Sequence, residues 1–164
     1  MRAPYLLALG LLAVPLNARG ADTSGGDPTD INLGCALNSL RGSYMVQGNG
    51  SFAPGQPLPF TKGPSIPVNF QNLTVFDGHG NVFTPSGVDV IGGLIEHNTP
   101  TVGTYTVNPD CTGELVLHTD HAPQFGGPHT HHVFITIVDE KFYFTFMDPG
   151  ATGSGIAERI VRRH

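Results

Sequence analysis

The sequence predicts an all-β protein, an eight-stranded antiparallel β-barrel, and two observations carry that expectation. Turn-forming segments from Phe76 to Asn81, Asn108 to Gly113 and Asp148 to Gly150 separate apolar, β-branched runs. Gly and Asn tolerate positive φ and Pro lacks a ladder donor, so each segment stops a strand. The runs between them alternate with period 2. No long 3.6-residue periodicity intervenes after the N-terminal segment, so neighbouring strands must pair antiparallel with one another.

Taken in order, residues 1–20 read as a secretory signal. Arg2 precedes the apolar run 5–14, which is too short to span a bilayer, and the small residues Ala18 and Gly20 suit a cleavage site. Residues 21–34 are small, polar and turn-rich, the composition of a flexible leader. A single barrel domain is expected over 35–161. Cys35 and Cys111 are the only cysteines, and a secreted destination favours their pairing as a disulfide. The chain-entropy model assigns such a bridge about 4 kcal/mol. Two free thiols or a metal pair are the alternatives.

Strands are expected near residues 40–50, 67–76, 80–92, 101–108, 113–119, 131–139, 141–147 and 153–161. Eight suffice to close a small barrel around one ligand or a packed interior. The Pro-rich stretch with Pro54, Pro57, Pro59 and Pro64 suits a long loop across one barrel mouth. Residues 131–147 carry large side chains on both faces. Val133, Ile135 and Ile137 oppose Phe134 and Val138, and Phe142, Phe144 and Phe146 oppose Tyr143 and Met147. A strand wetted on one face would be polar there, so this hairpin is expected to be covered twice, by the lumen and by either the long loop or a partner subunit of a homo-oligomer.

Composition excludes several function classes. The net charge is −5, charged residues make up only 13%, and Arg41 and Lys62 are the only basic residues between 30 and 140. No footprint for nucleic acid exists there, and no membrane-spanning run follows the signal. Nucleophile-elbow, phosphate-loop and dinucleotide motifs are missing. Two glycosylation sequons start at Asn49 and Asn72.

The order Leu40 to Tyr44, Phe76 to Asn81, Gly103 to Gly113, Phe146 to Gly150 and Gly153 to Ala157 resembles the small secreted microbial proteins related to the allene oxide cyclase barrel. The likeness spans about residues 40–160, and the string from Gly103 to Gly113 is its most specific part. The resemblance implies an eight-stranded antiparallel barrel akin to allene oxide cyclases and dirigent proteins. In those relatives an apolar lumen folds a reactive intermediate into one product geometry without a cofactor. No catalytic residue of the plant enzymes maps onto this chain. The stretch from His118 to His132 departs from the family in its length and its wealth of histidine.

Six of the eight histidines fall between residues 97 and 132. His118 is expected to end one strand while His131 and His132 begin the next, so antiparallel pairing brings them together, with His121 and His129 on the connecting loop. Histidine titrates near neutrality and moves protons without a cofactor. His118, His131, His132 and Tyr143 are therefore the candidate catalytic residues. The alternative is a divalent transition metal held by His118, His129 and His131. Candidate substrate contacts are Phe83, Phe134 and Phe144 in a water-poor lumen, with Gln47 and Asn49 as orienting amides. Alternation leaves open whether the side carrying Gln47 and Asn49 is lumen or solvent. The expected function is a cyclase or isomerase acting on a small hydrophobic molecule. A non-catalytic ligand-binding barrel and a His-rich metal-binding secreted protein are the alternatives.

Overall fold

The structure, a computed structural model, describes residues 31–53, 65–97, 100–120 and 127–160. The signal segment and most of the leader lie outside the described residues. Leu33, near the end of the leader, donates its backbone N–H to Pro109 O.

After a short 3-10 turn at Leu37–Leu40 come nine strands: β1 Gly42–Phe52, β2 Ile66–Phe76, β3 Asn81–Ile91, β4 Leu94–His97, β5 Thr101–Val107, β6 Thr112–Asp120, β7 Pro128–Val138, β8 Lys141–Phe146 and β9 Ala151–Arg159. Eight of them close an antiparallel barrel in the order β2-β1-β9-β8-β7-β6-β5-β3, with β3 returning to pair with β2. The expected fold is therefore the observed one, with β4 added outside. The first half of β3 pairs with β5, from Asn81↔Thr104 to Thr84↔Thr101, and its second half pairs with β4, from Val88↔His97 to Ile91↔Leu94. Gly92 and Gly93 make the link at φ 59° and 87°, a two-residue turn whose positive φ values only glycine adopts cheaply.

A bulge in β3 sets which side chains face inward. Leu73 pairs with Ser86 and Val75 with Phe83, so Thr74 alone stands against Thr84 and Pro85. Proline is tolerated there because a bulge needs no ladder donor. The extra residue reverses the alternation. Val82 and Thr84 are buried before it, Asp89 and Ile91 after it, and the buried Thr74 and Thr84 hydroxyls bond to each other at 3.0 Å.

One end of the lumen is solid. Tyr44, Phe76, Tyr105 and Phe142 pack with ring centroids 5.0–5.6 Å apart, over Leu40, Ile135 and Ala157, each fully buried. Their polar atoms are all bonded, as burial demands. Tyr105 Oη donates to Leu37 O at 3.0 Å. Arg159 donates from Nε and Nη2 to Tyr44 Oη, and from Nη2 to Ser39 O at 2.8 Å. Burial raises the Tyr44 phenol above its ordinary value, and Arg159 partly opposes the rise. The Cys35–Cys111 disulfide, with Cα atoms 5.0 Å apart, ties the N-terminal segment to the β5–β6 turn.

Candidate functional site

At the other end the same strands leave a space. The end of β1, the start of β2, the end of β3 and the start of β7 surround a cavity of about 110 Å³. Its wall is mostly apolar, with Val46, Val68, Phe70, Leu117, Phe144 and Phe146. Gly48 and Gly155 stand opposite each other on β1 and β9. A side chain at either would run into the Phe144 ring, and at Gly48 into Phe70 as well, so this glycine pair makes room for the tips of those rings. The polar lining includes Asn72, Asp89, Thr101, Thr119 and His131, and among the described residues it contains no Lys or Arg. The β3 bulge turns Asp89 inward, directly across from Glu96 on β4, and both carboxyl groups are buried.

His131 is the titratable group with the most defined surroundings. It belongs to the inward face of β7, beside Phe146, with ring centroids 5.6 Å apart, and its side chain is 12% exposed. The β8–β9 turn folds back onto β7 through Met147 N–H to His132 O. That contact brings Asp148 to the start of β7. Its Oδ1 accepts the His132 backbone N–H at 2.9 Å, and its Oδ2 lies 2.9 Å from His131 Nδ1. On the far side of the ring, His131 Nε2 lies 2.7 Å from His129 Nε2, while His129 Nδ1 lies 2.9 Å from Gly127 O. The result is a continuous line from Asp148 through two imidazoles to a backbone carbonyl. A carboxylate fixing one imidazole nitrogen leaves the other aimed and more basic, the arrangement proton transfer requires.

The sequence pattern placed His129 on a loop, and the structure differs. Pairing of Thr119 with His129 and of Asp120 with Pro128 starts β7 three residues before the expected position, which puts His129 on the same face as His131. Alternation on β7 sends His132 outward, and His118 on β6, paired with Thr130, faces outward too. Both are exposed, and His118 Nδ1 meets Thr130 Oγ1 at 3.0 Å. The His118, His129, His131 set is thus split between two faces. Among the described residues no group of three His, Cys, Asp or Glu side chains is placed to hold a metal ion. His121 lies outside the described residues.

Of the expected substrate contacts, Phe144 lines the cavity. Phe83 and Phe134 face outward instead, 43% and 41% exposed, as does the candidate catalytic residue Tyr143, 51% exposed. Inward positions on β7 and β8 are taken by Val133, Ile135, Phe142 and Phe144, which leaves the opposite parity to solvent. Tyr143, Gln47 and Asn49 line an outer groove together with Asn69, Gln71 and Ser154. Phe134 and Tyr143, with Val138 and Met147, make the exposed apolar outer face of the β7–β8 hairpin. The sequon at Asn49 is exposed, whereas Asn72 lines the lumen, where a glycan has no room. Sequence reasoning did not single out Asp148 as a site residue. Its signal was the turn Asp148-Pro149-Gly150 following directly on an aromatic strand.

No protein-family model matches the chain, and no curated protein or solved structure does. Its chemistry therefore has to be read from the cavity and the groups that line it.

Proposed function

We propose that this protein is a secreted barrel that takes a small apolar molecule into the cavity and isomerises or cyclises it by proton transfer, without a redox cofactor. The observation that carries the reading is His131: one imidazole, held by Asp148, lines a mostly apolar space. Water-poor walls strengthen every hydrogen bond made to a developing charge, and enclosure of a flexible ligand removes orientational entropy before reaction. Asp89, turned into the same cavity, supplies a second proton-transfer group. The disulfide and the apolar N-terminal run support secretion. No helix among the described residues is long and apolar enough to cross a membrane.

Size bounds the ligand. At about 110 Å³ the cavity is smaller than the roughly 150 Å³ that hold benzene, so it suits part of a small ring whose remainder extends through the open end. The test uses a β,γ-unsaturated cyclohexenone as probe and follows its conversion to the conjugated isomer by absorbance. The protein should accelerate the conversion, and His131→Gln should lower the rate by about 100-fold or more, the scale of general acid–base catalysis. Conversion by His131→Gln at the original rate would remove His131 from the chemistry.

A further inference from the structure

Counting hydrogens on the two facing imidazoles leads beyond this reading. The Gly127 carbonyl can only accept, so His129 Nδ1, at 2.9 Å from it, must carry a hydrogen. The Asp148 carboxylate already accepts from the His132 N–H through Oδ1, and its Oδ2 accepts in the same way from His131 Nδ1 at 2.9 Å. Both Nδ1 positions are therefore protonated. A neutral histidine has one N–H, so two neutral rings would point two bare Nε2 lone pairs at each other across 2.7 Å. That is repulsive, and something positive has to lie between them.

Two cations could do so, a proton or a metal ion. A metal bound at about 2.0–2.1 Å to each nitrogen with tetrahedral angles would hold them about 3.3 Å apart, and octahedral angles would give about 2.9 Å. The observed separation is shorter than either and falls within the hydrogen-bond range. The rings meet nearly perpendicular, at 81°. The charges around the pair agree. Asp148 anchors it from the β8–β9 turn, with Oδ2 2.9 Å from His131 Nδ1, and no Lys or Arg is among the described residues that line the cavity.

We propose that His129 and His131 share one proton between their Nε2 atoms, and that this pair, anchored by Asp148 and the Gly127 carbonyl, is the proton carrier of the site for an apolar ligand bearing a carbonyl oxygen. The second half of this proposal rests on the isomerase reading above; the first half does not. The step balances. The shared proton passes from His131 Nε2 to the ligand oxygen, forming an O–H bond and breaking an N–H bond. The pair then takes a proton from the carbon next to the carbonyl, breaking C–H and restoring N–H, and gives it to the γ-carbon while the O–H proton returns to Nε2, so the double bond moves into conjugation and the pair ends with the charge it began with. His131 is the catalytic residue. His129 and Asp148 are positioning residues, one storing the proton and the other fixing the ring.

The experiment is nitrogen NMR of the full chain labelled at histidine, near neutral pH, combined with the cyclohexenone assay. The four ring nitrogens of His129 and His131 should carry three hydrogens, one of them shared. In His129→Gln the amide still hydrogen-bonds His131 but cannot store a proton. Isomerisation should then fall tenfold or more with KM changed less than about twofold. Two hydrogens on the four nitrogens, or a metal ion retained by the wild type and lost in His129→Gln, would overturn the shared proton. A full rate in His129→Gln would overturn the relay. Three hydrogens in a wild-type protein that leaves the probe unchanged would overturn the isomerase reading and the relay, while the shared proton stands. The hydrogen count needs only the wild type, so it decides even if His129→Gln fails to fold.

Discussion

The two ends of the barrel are made by the same eight strands and differ in what those strands turn inward. At the closed end the lumen holds Tyr44, Phe76, Tyr105 and Phe142, edge to face and in contact, with each phenol bonded to Arg159 or a backbone carbonyl. At the open end Phe70, Phe144 and Phe146 share the lumen with small or polar inward side chains, Gly50, Thr101, Thr119, Ala151 and His131, and a cavity remains. One end is packed and the other holds a space. Stability should therefore concentrate at the first and ligand chemistry at the second, as is common where a rigid scaffold carries a site.

Paired truncations give the largest expected contrast. Phe76, 1% exposed and touching the rings of Tyr44, Tyr105 and Phe142, should cost about 3–5 kcal/mol on Phe76→Ala, because it leaves a hole among packed rings. Leu117 borders the existing cavity and is only partly buried. Leu117→Ala should cost about 2 kcal/mol, the low end for such a change. Urea unfolding of both variants checks the difference, and equal losses would erase the distinction between the ends.

A smaller effect separates the ends by pH. The β2–β3 turn, at the closed end, centres on Asp77. Its carboxylate accepts from the His79 and Asn81 backbone N–H groups and from Asn81 Nδ2 at 2.6–3.0 Å. Those bonds, the Asn81 side chain foremost, lower its pKa from 3.8 to about 2. A depressed carboxyl stabilises the fold above its unfolded pKa and loses that contribution as pH falls through the folded value. Wild type should therefore have a higher thermal midpoint than Asp77→Asn at neutral pH. The gap should narrow between the ordinary carboxylate range and about pH 2. Because the group is fully exposed, solvent screening keeps the gap small. A gap independent of pH would show that the turn does not depend on the charged form.

Much of the barrel was legible because turns and strands obey local rules. Gly, Pro and Asn marked eight strand segments, and the two-cysteine count gave the bridge that the structure shows between Cys35 and Cys111. What escaped depends on longer-range geometry. Gly92 falls at the end of the strand expected over 80–92, although with Gly93 it makes a hairpin signal, and β4 follows from it. Period 2 divides a strand into two faces without saying which is inside, so Gln47, Asn49, Phe83, Phe134 and Tyr143 could be sorted only once the barrel closed. The bulge at Thr84-Pro85 reverses that sorting within one strand. At the site, His131 was legible as chemistry. Its partners were not, because His129 joins the strand through pairing with Thr119, and Asp148 reaches β7 only when the β8–β9 turn folds back.

Methyl NMR during titration with the cyclohexenone probe tests the central claim, that the open end holds an accessible apolar cavity and the closed end does not. The methyl resonances of Ile91, Leu115, Leu117 and Val133, which line the cavity, should shift saturably, while those of Leu40, Ile135 and Ala157 in the packed end stay in place. Shifts spread evenly over both sets, or no shift in either, would contradict the account.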